Sequence, residues 1–261
     1  MTRLAANLSY LFTELPFLDR FAAAAKAGFP AVEWNFAFDT PKSELAARLA
    51  DNDLKLTLIN TPAGDMAAGE LGLAVLPGRE DDAAGAFDQA LDYAVALGRP
   101  VIHYLAGKPP SSDPLAIDDL FLKNMSRAAD RAAMAGVAIA LEPLNPRDRP
   151  GYHLLSVDHA MRLIAAANRD NIKLQLDLYH CQITGGDIVR TIERTIDRIA
   201  HVQIAGVPDR AEPSSGELAY GVVLARLDAL GYRGFVGCEY APARGTLAGL
   251  GWAAPYLESR K

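Results

Sequence analysis

Along the chain, short apolar runs alternate with longer stretches in which apolar residues recur every three or four positions. The short runs have the length of buried strands, and the longer stretches have the period of amphipathic helices. Eight runs read as strands: residues 4–9, 31–35, 54–60, 100–107, 137–145, 172–180, 200–206 and 234–240. The stretches between them read as helices, among them LPFLDRFAAAAKAG, DDAAGAFDQALDYAVALG, DDLFLKNMSRAADRAAMAG and SVDHAMRLIAAAN. Helices stop at a glycine just before the next strand at Gly28, Gly98, Gly136 and Gly231. A left-handed turn at a helix C-terminus costs glycine no steric strain. Ser156 and Asp158 stand where a helix needs an N-cap and a first-turn acid. Strands alternating with helices pair in parallel, because each crossover returns the chain to the same end. Eight such units predict an α/β fold, one (β/α)8 TIM barrel domain over residues 1–261. The longest irregular stretch, TPAGDMAAGELGLAVLPGRE at 61–80, follows the third strand. A loop of that length in a compact domain is usually functional, often a lid.

Several of the apolar runs end in, or carry, an ionisable or amide residue, as in VAIALEPLN, IKLQLDLYH, AHVQIAG and FVGCEYAP. In a barrel of this kind the chemistry sits at the C-terminal ends of the strands. Glu142, Asp177, Gln203 and Glu239 fall at or near such ends on four consecutive strands, each about one β/α unit from the next. Neighbouring strands lie roughly 5 Å apart, so four such groups can converge. Three carboxylates at that spacing repel one another, and each uncompensated buried charge costs several kcal/mol. A divalent cation resolves the conflict, and an oxygen-only set suits Mg²⁺ or Mn²⁺ better than zinc. Taken singly, Glu142 and Asp177 are as well explained by pairing with a nearby Lys or Arg, and Gln203 by a satisfied core amide.

Composition narrows the partners. The chain has 261 residues, half of them hydrophobic, enough for one large core. A net charge of −6 without a basic stripe argues against a nucleic-acid partner. No run approaches the length of a membrane span. Two cysteines, Cys181 and Cys238, do not make a disulfide framework and read as reduced thiols. With MTRLAANLSYLF too short and polar for a signal peptide, the expected location is the cytoplasm.

The strings AANLSYLFTELPF, GFPAVEWNFAFD, LPGRE, LQLDLYHCQ, HVQIAGVPDRAEP and GFVGCEY followed by GLGW resemble the hydroxypyruvate isomerase family. That family belongs to the xylose-isomerase-like barrels and includes the 2-oxo-tetronate isomerases. The resemblance covers nearly the whole chain. It implies that Glu142, Asp177, Gln203 and Glu239 hold one divalent metal and that Glu142 and Glu239 form the acid–base pair. It also implies that His180, in LYH, and Arg210, in PDR, contact the substrate. Two positions depart from the pattern: Ala241 stands where a basic residue often follows GCEY, and Ala211 where His usually precedes EP. Both bear on substrate choice. The opening FTELPFLDRFAAAAKAGF and the string AGVPDR lean toward the 2-oxo-tetronate group.

Moving a carbonyl by one carbon requires loss of an α proton, an enediolate, and return of a proton to the neighbouring carbon. A metal acting as Lewis acid stabilises that charge. Arg210 has the planar fork for a substrate carboxylate, or else a rim salt bridge with Asp209 or Glu212. His103 at the fourth strand either lines the pocket or is a hydrogen-bonded core histidine. Arg79 and Lys108 offer positive charge near the mouth, although solvation is the usual fate of such residues. Glu33 and Asn60 end strands and can orient metal ligands. Trp34 and Phe36 wall the pocket or pack, and His153, His159 and His201 read as structural, His201 away from the chemistry. The rival functions are a ketose 3-epimerase, which usually carries His where Gln203 stands, an apurinic-site endonuclease, and a non-catalytic sugar-acid-binding barrel. The expected partner is a small carboxylated oxo acid, with self-association possible through the C-terminal GLGWAAPYLESRK.

Overall fold

A computed structural model describes residues 1–110 and 113–257. Eight strands close in sequence order into a parallel barrel: β1 (Arg3–Asn7), β2 (Ala31–Trp34), β3 (Lys55–Asn60), β4 (Val101–His103), β5 (Ile139–Leu141), β6 (Ile172–Asp177), β7 (Ile199–Ile204) and β8 (Phe235–Cys238). The register of β8 against β1 closes the ring, with Leu4 opposite Val236 and Ala6 opposite Cys238. The helices are α1 (Arg20–Lys26), α2 (Lys42–Asp51), α3 (Glu80–Ala96), α4 (Pro114–Met134), α5 (Val157–Ala167), α6 (Leu178–Thr184), α7 (Ile188–Thr195), α8 (Tyr220–Ala229) and α9 (Thr246–Gly249). None among the described residues is long and apolar enough to cross a membrane.

The core lies between barrel and helices. Phe21 of α1, Phe87 of α3 and Phe121 of α4 are fully buried there, and Phe121 stacks on Tyr104 just after β4. Truncating a phenylalanine in such a setting costs about 3–5 kcal/mol. The helix stops expected at Gly28, Gly98, Gly136 and Gly231 all take positive φ. Ser156 caps α5 by accepting from the backbone N–H of His159.

Three strands stop well short of the apolar pattern, for physical reasons. The Tyr104 N–H still donates to the Ala140 carbonyl of β5, and beyond it the backbone groups leave the sheet. Leu105 N–H donates to Thr61 Oγ1, Ala106 N–H donates to Tyr152 Oη, and the Ala106 carbonyl accepts from Val75. After Leu141 the chain pairs through Leu144 N–H with the carbonyl of Leu154. The long loop over 61–80 is therefore docked: Gly72 sits so close to Leu105 and Gly107 that an added Cβ would lie 2.6 Å from the Leu105 carbonyl. The predicted strand 172–180 also ends early, since Asp177 accepts from Tyr179 N–H and turns the chain into α6. The C-terminal stretch singled out for self-association runs past the described residues, which end at 257.

Candidate active site

The barrel register places the sequence-derived acids at one mouth. Asp177 ends β6, and its neighbour across the ladder is Gln203, near the end of β7. Glu142 and Glu239 each follow the last residue of their strands, β5 and β8. All four are buried. Glu142, Glu239, His103, His180 and Arg210 line a cavity of about 400 Å³ including its open entrance, together with Tyr10, Asn35, Phe36, Asn60, Leu71, Leu105, Leu144 and Arg149. Leu71 brings the docked 61–80 loop to the rim.

Burial and mutual repulsion control the charge here. Glu142 has its carboxyl pushed well above the usual carboxylate range by burial, then by Glu239 and Asp177. Burial likewise raises Asp177, against the pull of Arg210, and pushes Glu239 up to about 7. Glu142 Oε1 is buried without a hydrogen-bond partner among the described residues. A donor atom from each of Glu142, Asp177 and His180 lies within 4.8 Å of the others. An orphaned carboxylate oxygen on Glu142, with the carboxyls of Asp177 and Glu239 beside it, leaves oxygen donors that fit a divalent cation.

Arg210 supplies positive charge at the site. Its Nη2 lies 2.9 Å from Glu239 Oε2 and 3.4 Å from Asp177 Oδ2, and its guanidinium packs between the rings of Tyr10 and Tyr179. The partners are thus the site acids, and the rim pairing with Asp209 or Glu212 is not formed. A positive φ at Arg210 aims the side chain inward, and the Arg210 carbonyl accepts from Ala241 N–H. Both departures from the family strings therefore adjoin this arginine, Ala211 as its neighbour in the chain and Ala241 through that hydrogen bond.

His180 stands in α6 rather than on a strand. The backbone N–H of Asn145 donates to its Nδ1 at 3.1 Å, which leaves the proton of the neutral ring on Nε2, 3.6 Å from Asp177 Oδ2. Burial, with Arg210 adding to it, holds this imidazole well below its ordinary pKa. His103 Nδ1 lies 3.1 Å from Glu142 Oε2, and burial lowers its pKa to about 3, so the ring is neutral.

Gln203 is placed differently from its three acidic companions. Its Nε2 donates to Glu33 Oε1 at 2.7 Å and its Oε1 accepts from Gln175 at 2.6 Å. Glu33 also accepts from Asn7 and lies 2.5 Å from His201 Nε2. These residues form a polar floor inside the barrel. His201 belongs to that floor, two residues before Gln203, and not to a remote strand end. The carboxylate of Glu33 fits because position 237 is glycine: a Cβ there would lie 2.4 Å from both of its oxygens.

Arg79 is not brought to the cavity. Its Nη1 donates to Glu70 Oε1 at 2.8 Å and its Nε to Asp82, so it fastens the 61–80 loop to the start of α3. Lys108 does not line the cavity either, and Trp34 packs on Phe17 and Phe21 while Phe36 reaches the wall. Tyr10, Asn145 and Arg149 were not anticipated as site residues. Arg149 lines the cavity and makes no side-chain hydrogen bond or ion pair among the described residues. The two arginines of NPRDRP, just after the fifth strand, are the sequence signal that could have pointed to it.

Comparison with known proteins agrees with this geometry. The model of the xylose isomerase-like TIM barrel family matches residues 21–256. The chain is 48% identical over 258 residues to a 2-oxo-tetronate isomerase of Cupriavidus necator, covering 98% of this chain and 99% of that one. It is 42% identical over 257 residues to the hydroxypyruvate isomerase of Escherichia coli, covering 98% and 100%. A Brucella melitensis crystal structure described as an AP endonuclease of family 2 superposes with a TM-score of 0.97 at 45% identity, covering 99% of this chain and 100% of that one. The chain therefore belongs to the xylose isomerase-like TIM barrel family, in its hydroxypyruvate isomerase branch, and is an isomerase.

Proposed function

We propose that this isomerase moves the carbonyl of a short 2-oxo acid by one carbon through an enediolate, with 2-oxo-tetronate to 3-oxo-tetronate as the favoured reaction and hydroxypyruvate to tartronate semialdehyde as its three-carbon counterpart. The observation that carries this reading is the pair Glu142 and Glu239. They stand three strands apart on the same cavity, and burial raises both carboxyls above their ordinary range, Glu239 to about 7, which favours proton exchange by these groups. The similarity to the Cupriavidus necator 2-oxo-tetronate isomerase favours the four-carbon acid.

One glutamate takes the proton from the hydroxyl-bearing carbon and the other delivers a proton to the former carbonyl carbon. The hydroxyl proton crosses to the former carbonyl oxygen, and His180, with Nε2–H turned to the cavity side, is placed to hold those oxygens. Glu142, Asp177, Gln203 and Glu239 would hold Mg²⁺ or Mn²⁺, which supplies Lewis-acid stabilisation of the developing oxyanion. Gln203 contributes a carbonyl whose second lone pair is free beside its bond from Gln175. Arg210 opposes the burial that raises Glu239 and offers a fork for the substrate carboxylate, and Arg149, which also lines the cavity, adds a second cation. A net charge of −6 speaks against transferring the endonuclease description to this chain.

The test is turnover of 2-oxo-tetronate and hydroxypyruvate by the purified protein in D₂O with Mg²⁺ or Mn²⁺, followed by NMR. The expected result is isomerised product with solvent deuterium at the new C–H, faster for the four-carbon acid. Absence of both turnover and exchange on the two acids would overturn the reading.

A further inference from the structure

A second constellation lies outside the cavity and takes no part in the proposed reaction. Asp118 of α4, His153 of the β5–α5 loop and His159 in the first turn of α5 converge from three segments. Nε2 of each imidazole lies 2.8 Å from the same oxygen, Asp118 Oδ1. The two rings stand 5.1 Å apart at 71°, edge to face. The side chains of His153, His159 and Asp118 are 7%, 16% and 28% exposed, so the cluster is walled by protein yet open on one side.

We propose that Asp118, His153 and His159 form a binding site for a borderline divalent transition ion, Zn²⁺ being the probe of choice. Two imidazole nitrogens and one carboxylate oxygen make a facial set with room for water on the open side, as such ions accept. Donor atoms on adjacent coordination positions around an ion with bonds of about 2.1 Å lie roughly 3 Å apart, close to the 2.8 Å from each Nε2 to Asp118 Oδ1. Burial and the neighbouring His159 lower the His153 pKa, so its lone pair is available at neutral pH. The chemistry is the reverse of that at the barrel mouth, where oxygen donors dominate and Mg²⁺ or Mn²⁺ fits better.

The location gives the site a consequence. His153 belongs to the same connection between β5 and α5 that carries Glu142, Asn145 and Arg149, and its backbone N–H is bonded to the Gly107 carbonyl. An ion held by His153, His159 and Asp118 would clamp that connection to α4 and to the start of α5.

The hydrogen-bonded cluster and the ion-bound cluster differ in where the ring protons sit. With two Nε2–H groups donating to Asp118, both rings carry the proton on Nε2; an ion at Nε2 moves it to Nδ1. The experiment is a Zn²⁺ titration of the full-length protein in saturating Mg²⁺, following the ring nitrogens of its five histidines by NMR. The expected result is conversion of His153 and His159 to the Nδ1–H form at one equivalent, with His103, His180 and His201 unchanged. Asp118→Asn and His159→Gln should each weaken that response about tenfold or more. Using two variants guards against one that fails to fold. Rings of His153 and His159 that ignore several equivalents would overturn the proposal. So would a response confined to His180, which reports Zn²⁺ at the barrel mouth, or one that survives both substitutions.

Discussion

Two glutamates buried in the same barrel live in opposite circumstances. Glu33 is 0% exposed and meets Asn7, His201 and Gln203 within hydrogen-bonding distance, with Thr57 at the edge of reach. Glu142 is 4% exposed, has one oxygen with no partner and stands beside two other acids. The floor is nearly closed as a network of donors and acceptors, apart from the Gln175 carbonyl oxygen. The mouth is left short of positive charge. A fold that satisfies one carboxylate so fully and leaves another so bare is consistent with the cation and substrate proposed for the mouth. Glu33 is paired on every side, whereas Glu142, the proposed acid–base group, keeps one oxygen bare at a cost in stability.

The largest expected effect breaks the mouth. Glu142→Gln and Glu239→Gln should each lower kcat for the proposed isomerisation by about 10³-fold, since general acid–base groups contribute 10²–10⁴. Circular dichroism should show the fold intact. Near-native turnover in either variant would remove the two-glutamate mechanism.

Next comes the contrast in stability. Glu33→Ala strands His201, Asn7 and Gln203 together, and loss of several buried partners should cost about 3 kcal/mol or more in denaturant unfolding. Glu142→Gln in metal-free protein removes a repulsion and should leave stability unchanged or higher. If both substitutions destabilise alike, the difference between floor and mouth is not real.

A third effect is the response to metal and pH. The carboxyls of Glu142, Asp177 and Glu239 all titrate higher in the folded chain than in an unfolded one, Glu239 at about 7. Groups of that kind favour the folded state fully at pH below their unfolded value, and the contribution fades as pH climbs through the folded value. Metal-free Tm should therefore decline between pH 5 and 8. Added Mg²⁺ or Mn²⁺ should raise Tm most at the upper end, where protons no longer compete for the oxygens. A shift of equal size at both ends would argue against binding by these carboxylates.

The smallest effect concerns Arg79. Its partners Glu70 and Asp82 are outside the cavity, and pairs this exposed contribute little. Arg79→Ala should alter kcat/KM by less than about twofold. A tenfold rise in KM would return it to the substrate.

Much of the barrel was legible in the sequence because parallel strands buried on both faces write themselves as apolar runs, and because glycines such as Gly28 and Gly231 mark where helices stop. The positions of Glu142, Asp177 and Glu239 at strand ends followed from the same punctuation. What escaped was made by closure. His201 reads as the start of a strand, and only the ring of strands brings it to Glu33 of β2. His180 was read as strand because IKLQLDLYH alternates apolar and polar residues almost to its end, yet a cap made by Asp177 turns it into α6. Arg79 advertised charge but not the acids that neutralise it, and those depend on how the 61–80 loop folds back.

Gly237 carries a last consequence. Any side chain at that position meets the carboxylate of Glu33. The strand that delivers Glu239 and the strand that delivers Glu33 are thus locked like a key and its ward. Neither position is free to vary alone: a larger residue at 237 becomes tolerable only once 33 has shortened, and shortening 33 first releases Gln203. The route from this sequence to a neighbouring one passes through an intermediate worse than either end, so the two sites should change as a pair or stay as they are.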